Sequence, residues 1–394
     1  MAKRKNGEGS YGKKTIKGVQ YNYYRDSNGK YTYAKTMKEL RDKVKKKSEE
    51  PPAPKGDYSK KYFGEYCKAW LKQVAKRKIT SRTYDDYESI IEHRIVPFDI
   101  SDVMLESITV DMINKYIEQL NSKYSLGTVQ KTWAIVNQVL KYGMEEDDIP
   151  KFNRSKIILP KERDVAVKKK DVKFINNYDM EELYKVSQGR TPQNKQWGNG
   201  SKLIIFIMYS GLRIGEATSL KWKHVNKEFD TIEVKEAIAS IKERDKNGEL
   251  IKNEDGTSNY KKIFKEPKSQ SGVRIVPLPE RATEILKYFY DNYSHNPEDP
   301  VFVTKKNTLF VFSDLRITLK TMLKYSNCEC KDYTPHSLRH GYGSILITSG
   351  VPIATVSKLL GHSSIEITSR IYYHLLKDET AEQIKNVFNK KSTE

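Results

Sequence analysis

Pro51-Pro52-Ala53-Pro54 places three prolines in four residues, and neither a helix nor a sheet strand runs through such a stretch. A semi-rigid extended linker is predicted there, so the chain divides near residue 50. Before the break the pattern is that of strands. Residues 19–24 and 30–34 read as β, Asp26-Ser27-Asn28-Gly29 supplies a turn between them, and Thr36 is placed to cap a basic helix through about Lys47. After the break the period becomes helical. Phe63, Tyr66, Trp70 and Leu71 recur along one face, as do Tyr84, Tyr87, Ile90 and Ile91. Thr109 is placed to cap a third helix carrying Ile113, Tyr116, Ile117 and Leu120, and Ser125 a fourth carrying Val129, Trp133, Val136, Val139 and Leu140. These stripes are core positions to which no chemistry is assigned.

Residues 151–173 show no sustained period and carry many cations, including Lys168-Lys169-Lys170. They read as an extended basic linker, either a solvated tether or a strap along a phosphate backbone. Helical pattern resumes at Phe174, and the apolar run Leu203 to Met208 leads into Tyr209-Ser210-Gly211. Residues 231–239, 260–264 and 273–277 are rich in β-branched or aromatic side chains, with a polar loop over about 243–258. Helices then return to the end. The expected fold is mainly α with small β-sheets (α+β): a sheet-plus-helix unit over 1–50, a helical domain over 57–150, a linker over 151–173 and a mixed domain over 174–394.

The charge is lopsided. With 71 Lys and Arg against 51 Asp and Glu, the net of +20 is the footprint expected for a polyanion partner. Met1 to Glu50 alone holds 15 cations against 6 anions, interleaved with Tyr11, Tyr21, Tyr23, Tyr24, Tyr31 and Tyr33. That segment is either a solubilising extension or a basic aromatic β-face that docks on a DNA groove. No apolar run reaches the length of a membrane span, and Met1-Ala2-Lys3-Arg4-Lys5 leads into no apolar stretch, so an intracellular protein with no membrane partner is expected. Cys67, Cys328 and Cys330 offer neither a disulfide framework nor four-ligand zinc spacing, and no metal is expected.

Chemistry concentrates near the C-terminus. Gly211 is placed to end one helix, leaving Arg213 at the start of the next. In Tyr333-Thr334-Pro335-His336-Ser337-Leu338-Arg339, Thr334 can cap a helix with Pro335 at its first position; His336 and Arg339, three apart, then share a face. Gly361 is placed to stop another helix just before His362, and a helix capped by Ser364 brings Tyr372 back about two and a half turns later. With Lys268, these residues form a set of two guanidiniums, a lysine, two imidazoles and a phenol. Such groups can neutralise a phosphodiester while the phenol oxygen attacks its phosphorus, which points to reversible DNA strand cleavage. Tyr373 is an adjacent candidate phenol, and Lys261, Lys262 and Lys265 are lysines close to Lys268 in sequence.

The boxes resemble those of the tyrosine recombinases, the integrase family of phages and conjugative transposons. The resemblance rests on Gly211-Leu212-Arg213-Ile214-Gly215-Glu216, on Pro267-Lys268-Ser269 ahead of Arg274-Ile275-Val276-Pro277-Leu278, and on His336-Ser337-Leu338-Arg339-His340. Leu359-Leu360-Gly361-His362-Ser363-Ser364 and Ile371-Tyr372-Tyr373-His374-Leu375 complete it, all in family order. It implies that Tyr372 is the nucleophile forming a 3′-phosphotyrosyl bond, chosen over Tyr373 because family members place it two residues before a histidine, here His374. Arg213 and Arg339 would clamp the non-bridging oxygens, Lys268 would protonate the leaving 5′-oxygen, and His336 and His362 would assist proton transfer. Glu216 would orient a basic partner.

The resemblance further implies an arm-site-binding domain over 1–50, a core-site-binding domain over 57–150, and a tail from Thr380 that packs on a neighbouring subunit. The expected activity is integration and excision of a prophage or conjugative transposon, on double-stranded DNA at core and arm sites, by a homo-oligomer, a tetramer on DNA. An accessory excision factor or a host DNA-bending protein would assist, the setting would be the bacterial cytoplasm and nucleoid, and no cofactor is implied. A DNA-binding protein that keeps the scaffold without cleaving, and a type IB topoisomerase, are the competing readings.

Overall fold

The computed structural model describes all residues except 1–9, 17–18, 26–30, 50–61, 168–172, 192, 247, 267–269 and 373–394. The Asp26 to Gly29 turn, the proline run, Lys168 to Lys170 and the tail from Thr380 lie outside the described residues. The chain forms two compact units, residues 1–166 and 167–394. It is mainly helical with small sheets, and no helix among the described residues is long and apolar enough to cross a membrane.

The first unit begins with an antiparallel sheet in the order β1 (Ser10–Ile16), β2 (Val19–Arg25), β3 (Tyr31–Ala34). β1 is absent from the sequence reading, because Gly12, Lys13 and Lys14 carry little strand propensity; its pairing with β2 makes it a strand. Helix α1 (Met37–Glu49) packs on β2 and β3, and the Glu39 amide donates to Thr36 Oγ1 at 3.2 Å. Buried Ala34 is in register with Asn22 and Lys13, so those three share the face toward α1. Lys14, Tyr21, Tyr23, Arg25, Tyr31 and Tyr33 therefore share the other. There Tyr23 lies 5.2 Å from Tyr31, ring centre to ring centre, and its ring covers Gly12, where a Cβ would meet it at 2.6 Å.

The unit continues with α2 (Phe63–Gln73), α3 (Ser81–Arg94), α4 (Val110–Lys123) and α5 (Leu126–Glu145). Thr80 and Thr109 cap α3 and α4 through their side chains, while Ser125 holds the cap position of α5 without a side-chain cap bond. Phe63, Tyr66, Trp70, Ile113, Tyr116, Leu120, Val136 and Val139 form one core. Residues 151–164, part of the extended basic linker expected over 151–173, lie against α4: Asn114 bonds Lys156 O and the Ile158 amide, and Asn121 bonds Asp164 O.

In the second unit α6 (Asn177–Gln188) precedes the central α7 (Asn199–Ser210), in which every side chain from Leu203 to Met208 is buried. Each large one of these contributes about 1.5–3 kcal/mol by leaving water. Short α8 (Ile214–Ser219) follows, and then β4 (Thr231–Val234) and β5 (Ala237–Lys242). The single strand expected over 231–239 is thus two: β4 pairs with β7 (Arg274–Pro277) and β5 with β6 (Tyr260–Lys265). At the switch Ser219 Oγ donates to the Glu236 carbonyl at 2.8 Å, pairing a group that neither ladder reaches. The expected loop over 243–258 continues as a bridged hairpin, with Arg244 opposite Leu250 and Lys252 opposite Ser258. Helices α9 (Glu280–Asn292), α10 (Phe312–Tyr325), α11 (Pro335–Thr348), α12 (Ile353–Leu360) and α13 (residues 365–372) complete the unit, with α9, α10 and α11 packed on α7.

Candidate active site

Local rules place the cations. Gly211 ends α7 at φ +65°, a conformation that favours glycine, and a Cβ there would also strike the Tyr342 ring at 2.3 Å. The chain turns and sets Arg213 at the N-cap of α8, its amide donating to Glu216 Oε2 at 2.9 Å. Thr334 caps α11 with Pro335 at the first position, which puts His336 and Arg339 on its opening turns. Gly361 ends α12 at φ +61° and delivers His362 directly after it.

One carboxylate organises the cluster. Glu216, 7% exposed, is bonded by Arg213 Nη1 to Oε1 at 2.6 Å and by Arg274 Nη2 to Oε2 at 2.8 Å, with Arg339 Nη1 3.7 Å from Oε2. Burial pushes its carboxyl up, but the Arg274 hydrogen bond and the three positive charges prevail and hold it at about 2. Three guanidiniums face one carboxylate, which leaves a surplus of positive charge. Arg339 is 1% exposed, and burial, reinforced by Arg213, draws its guanidinium down to about 9.

The same arginines satisfy the end of α12. Arg274 Nε donates to Leu359 O at 2.6 Å, Arg339 Nη2 to Leu360 O, and Arg213 Nη2 to Gly361 O at 3.2 Å. Arg339 Nη1 also donates to Gly211 O at 2.8 Å, so it fastens the end of α7 as well. Carbonyls orphaned at helix C-termini, where the dipole is negative, take cationic donors readily. Three consecutive carbonyls thereby fix the approach to His362.

Three imidazoles lie around these cations. Burial, with the charges of Arg339 and Arg213 behind it, lowers the His336 pKa and depresses that of His362 to about 4. His362 Nδ1 sits 2.7 Å from Thr368 Oγ1, which fixes the ring's rotation. His340 stacks edge-on against His336 with ring centres 4.3 Å apart, has a buried Nδ1 without a hydrogen-bond partner, and is likewise pushed down to about 4, by burial and then by His336.

Tyr372, on α13, is fully buried and donates its phenol hydrogen to His340 O at 3.0 Å. Phe174 lies 5.9 Å from its ring, and its oxygen fills the space over Gly343, where a Cβ would lie 2.2 Å away. Burial raises its pKa, against the charge of Arg339. Arg213, His336, Arg339, His362 and Tyr372 are therefore gathered in one region, with the phenol withdrawn from solvent. Lys268, Tyr373 and His374 lie outside the described residues.

Arg274 belongs to the Arg274-Ile275-Val276-Pro277-Leu278 box, and the sequence alone assigns it no role. Its signal was weak: an arginine opening a strand looks like a surface cation, yet its side chain is 6% exposed. Among the described residues, no group of three or more His, Cys, Asp and Glu side chains is arranged to hold a metal ion.

The fold and the match to family models define an enzyme class, the site-specific DNA recombinases. Residues 173–379 match the model of the phage integrase family, and residues 62–121 match the phage integrase N-terminal SAM-like domain. The chain belongs to the phage integrase family, whose tyrosine recombinases recombine the DNA of mobile elements through a phosphotyrosyl intermediate. It is 27% identical over 393 residues to a tyrosine recombinase XerC-like protein of Caldanaerobacter subterraneus subsp. tengcongensis, covering 92% of this chain and 94% of that one. It is 23% identical to the transposase from transposon Tn916 of Enterococcus faecalis, over 65% of this chain and 56% of that relative. Its fold is similar to the Tn1549 transposon integrase in complex with transposon right end DNA, with a TM-score of 0.61, 18% identity and coverage of 82% and 98%. It is also similar to a lambda integrase tetramer bound to a Holliday junction, with a TM-score of 0.53, 14% identity and coverage of 89% and 95%.

Proposed function

We propose that Tyr372 is the nucleophile of a strand-cleavage and rejoining reaction on double-stranded DNA, and that Arg213, Lys268, His336, Arg339 and His362 complete the catalytic set. The observation that carries this reading is Glu216 shared among three guanidiniums beside a buried phenol, which leaves net positive charge where a phosphate would sit. Arg213 and Arg339 hold the two non-bridging oxygens and stabilise the charge that builds on them in the transition state. The Tyr372 oxygen bonds to phosphorus as the bond to the 5′-oxygen breaks. Lys268 gives its proton to that oxygen, and His336 and His362, neutral near pH 7, hydrogen-bond the phosphate and help remove the phenol proton. The phosphotyrosyl link conserves the bond energy, so a different 5′-hydroxyl can attack it and reverse the step without a nucleotide cofactor.

Because Tyr372 is engaged with His340 O, cleavage includes its release from that site. The partners in this reading are core sites, for the helical domain over 57–150 and for the catalytic unit, and arm sites, for the domain over 1–50. The working form is a homo-oligomer, a tetramer on DNA, with an accessory excision factor or a host DNA-bending protein setting direction, in the bacterial cytoplasm on the nucleoid. The face bearing Lys14, Tyr21, Tyr23, Arg25, Tyr31 and Tyr33 has the charge and aromatic surface that a groove contact needs. The test is incubation with a nicked suicide substrate carrying the DNA end that flanks the gene. Wild type should form a denaturation-resistant adduct and Tyr372→Phe none; tight binding without an adduct in wild type would leave a non-cleaving DNA-binding protein.

A further inference from the structure

We propose that Arg274 is a positioning residue for strand cleavage: it locks the Glu216 carboxylate and the end of α12 so that Arg213, Arg339 and His362 present one fixed geometry to the phosphate. The inference rests on the reading above. The Arg274 side chain is 6% exposed and makes four hydrogen bonds within the protein. Nε binds Leu359 O at 2.6 Å, Nη1 lies 3.3 Å from Glu216 Oε1 and 3.1 Å from Gly272 O, and Nη2 binds Glu216 Oε2 at 2.8 Å. Arg213, by contrast, is 41% exposed while bonded to Glu216 and to the Gly361 carbonyl.

Those partners come from segments that the catalytic set needs together. Glu216 sits on α8 beside Arg213, Leu359 closes the helix before His362, and Gly272 belongs to the turn that follows Lys268 in sequence. The guanidinium also packs on Gly361, where an added Cβ would lie 2.7 Å from Nη1, so the residue before His362 is held from two sides.

Removing Arg274 leaves a buried carboxylate whose close donors, among the described residues, are the Nη1 and the amide of Arg213 alone. Glu216 would then turn toward Arg339, already 3.7 Å away, and neutralise a charge that the phosphate requires. A lysine restores the charge but cannot bond two carboxylate oxygens and a carbonyl in one plane. Charge alone therefore does not replace the fork.

The experiment compares wild type, Arg274→Lys, Glu216→Gln and the double variant Arg274→Gln/Glu216→Gln, measuring single-turnover adduct formation on the suicide substrate and affinity for the same DNA. The expected result is that Arg274→Lys slows adduct formation at least about 30-fold while affinity stays within about threefold. The double variant, which removes both buried charges and keeps the test open if a single change unfolds the protein, should be slower than Glu216→Gln by no more than about threefold, because the pair acts as one unit. Cleavage by Arg274→Lys within about threefold of wild type, losses that multiply across the pair, or a loss of affinity as large as the loss of rate would each overturn the proposal. If wild type forms no adduct, the recombinase reading fails and takes this inference with it; an active wild type with an unaffected Arg274→Lys overturns the inference alone.

Discussion

Tyr372 and His340 are joined by a 3.0 Å hydrogen bond from the phenol to a backbone carbonyl of α11, the helix that carries Arg339. The proposed nucleophile thus rests against the helix that bears Arg339, the proposed phosphate clamp. Gly343, one turn on, makes the room, since any side chain there would occupy the place of the phenol oxygen.

Gly343→Ala should therefore disturb the site in a defined way. With a methyl carbon 2.2 Å from the phenol oxygen, either Tyr372 leaves its seat or α11 shifts. The expected loss of stability is about 1–3 kcal/mol by urea unfolding, with Tyr372 more accessible to nitration. Unchanged stability and a protected Tyr372 would contradict the packing described.

Glu216 gives the site a pH signature. Its folded carboxyl, at about 2, lies below the ordinary value of 4.5, so the stability it contributes is present above the unfolded value and is lost as pH falls toward about 2. The contribution is of order 3 kcal/mol. Denaturant unfolding of wild type from pH 6 to pH 2 should show this loss, and Glu216→Gln should lack that part of the pH dependence while being less stable at pH 6. Parallel curves for the two proteins would count against the shared carboxylate.

His340 and His362 should stay neutral far below the usual histidine range. Both are held near 4 by burial and neighbouring cations, so protonation favours the unfolded chain as pH falls below about 6.5. Ring-proton NMR of the free protein should show both titrating near pH 4, and bound DNA phosphate should raise His362. Titration of His362 near 6.5 in the free protein would contradict its placement.

How much of this was legible in the sequence depended on distance along the chain. Helix ends at Thr109, Gly211, Thr334 and Gly361 were readable, because a cap or a left-handed stop acts within four residues of itself. The role of Arg274 was not, because its partners Glu216 and Leu359 lie 58 and 85 residues away. The split between β4 and β5 depends on which strand each meets, and β1 on its pairing with β2, facts of tertiary structure rather than propensity. The motif order suggested the proposed chemical set, but no period or spacing discloses that Tyr372 rests against a carbonyl.

The tyrosine-bearing face of the N-terminal sheet gives a further test. Lys14→Ala and Arg25→Ala should each weaken arm-site DNA binding and reduce its salt slope by about 1, while core-site cleavage stays within about twofold of wild type. Equal losses at both kinds of site would remove the distinction between arm and core contacts.

The most direct measurement locates the covalent bond. The adduct trapped on a suicide substrate is digested with nuclease and protease, and mass spectrometry reads which residue carries the nucleotide. The account places it on Tyr372, with Tyr372→Phe yielding no adduct and Tyr373→Phe yielding one. Attachment at Tyr373 or any other residue would contradict the assignment of the nucleophile, and the complete absence of an adduct from DNA-bound wild type would contradict the cleavage chemistry itself.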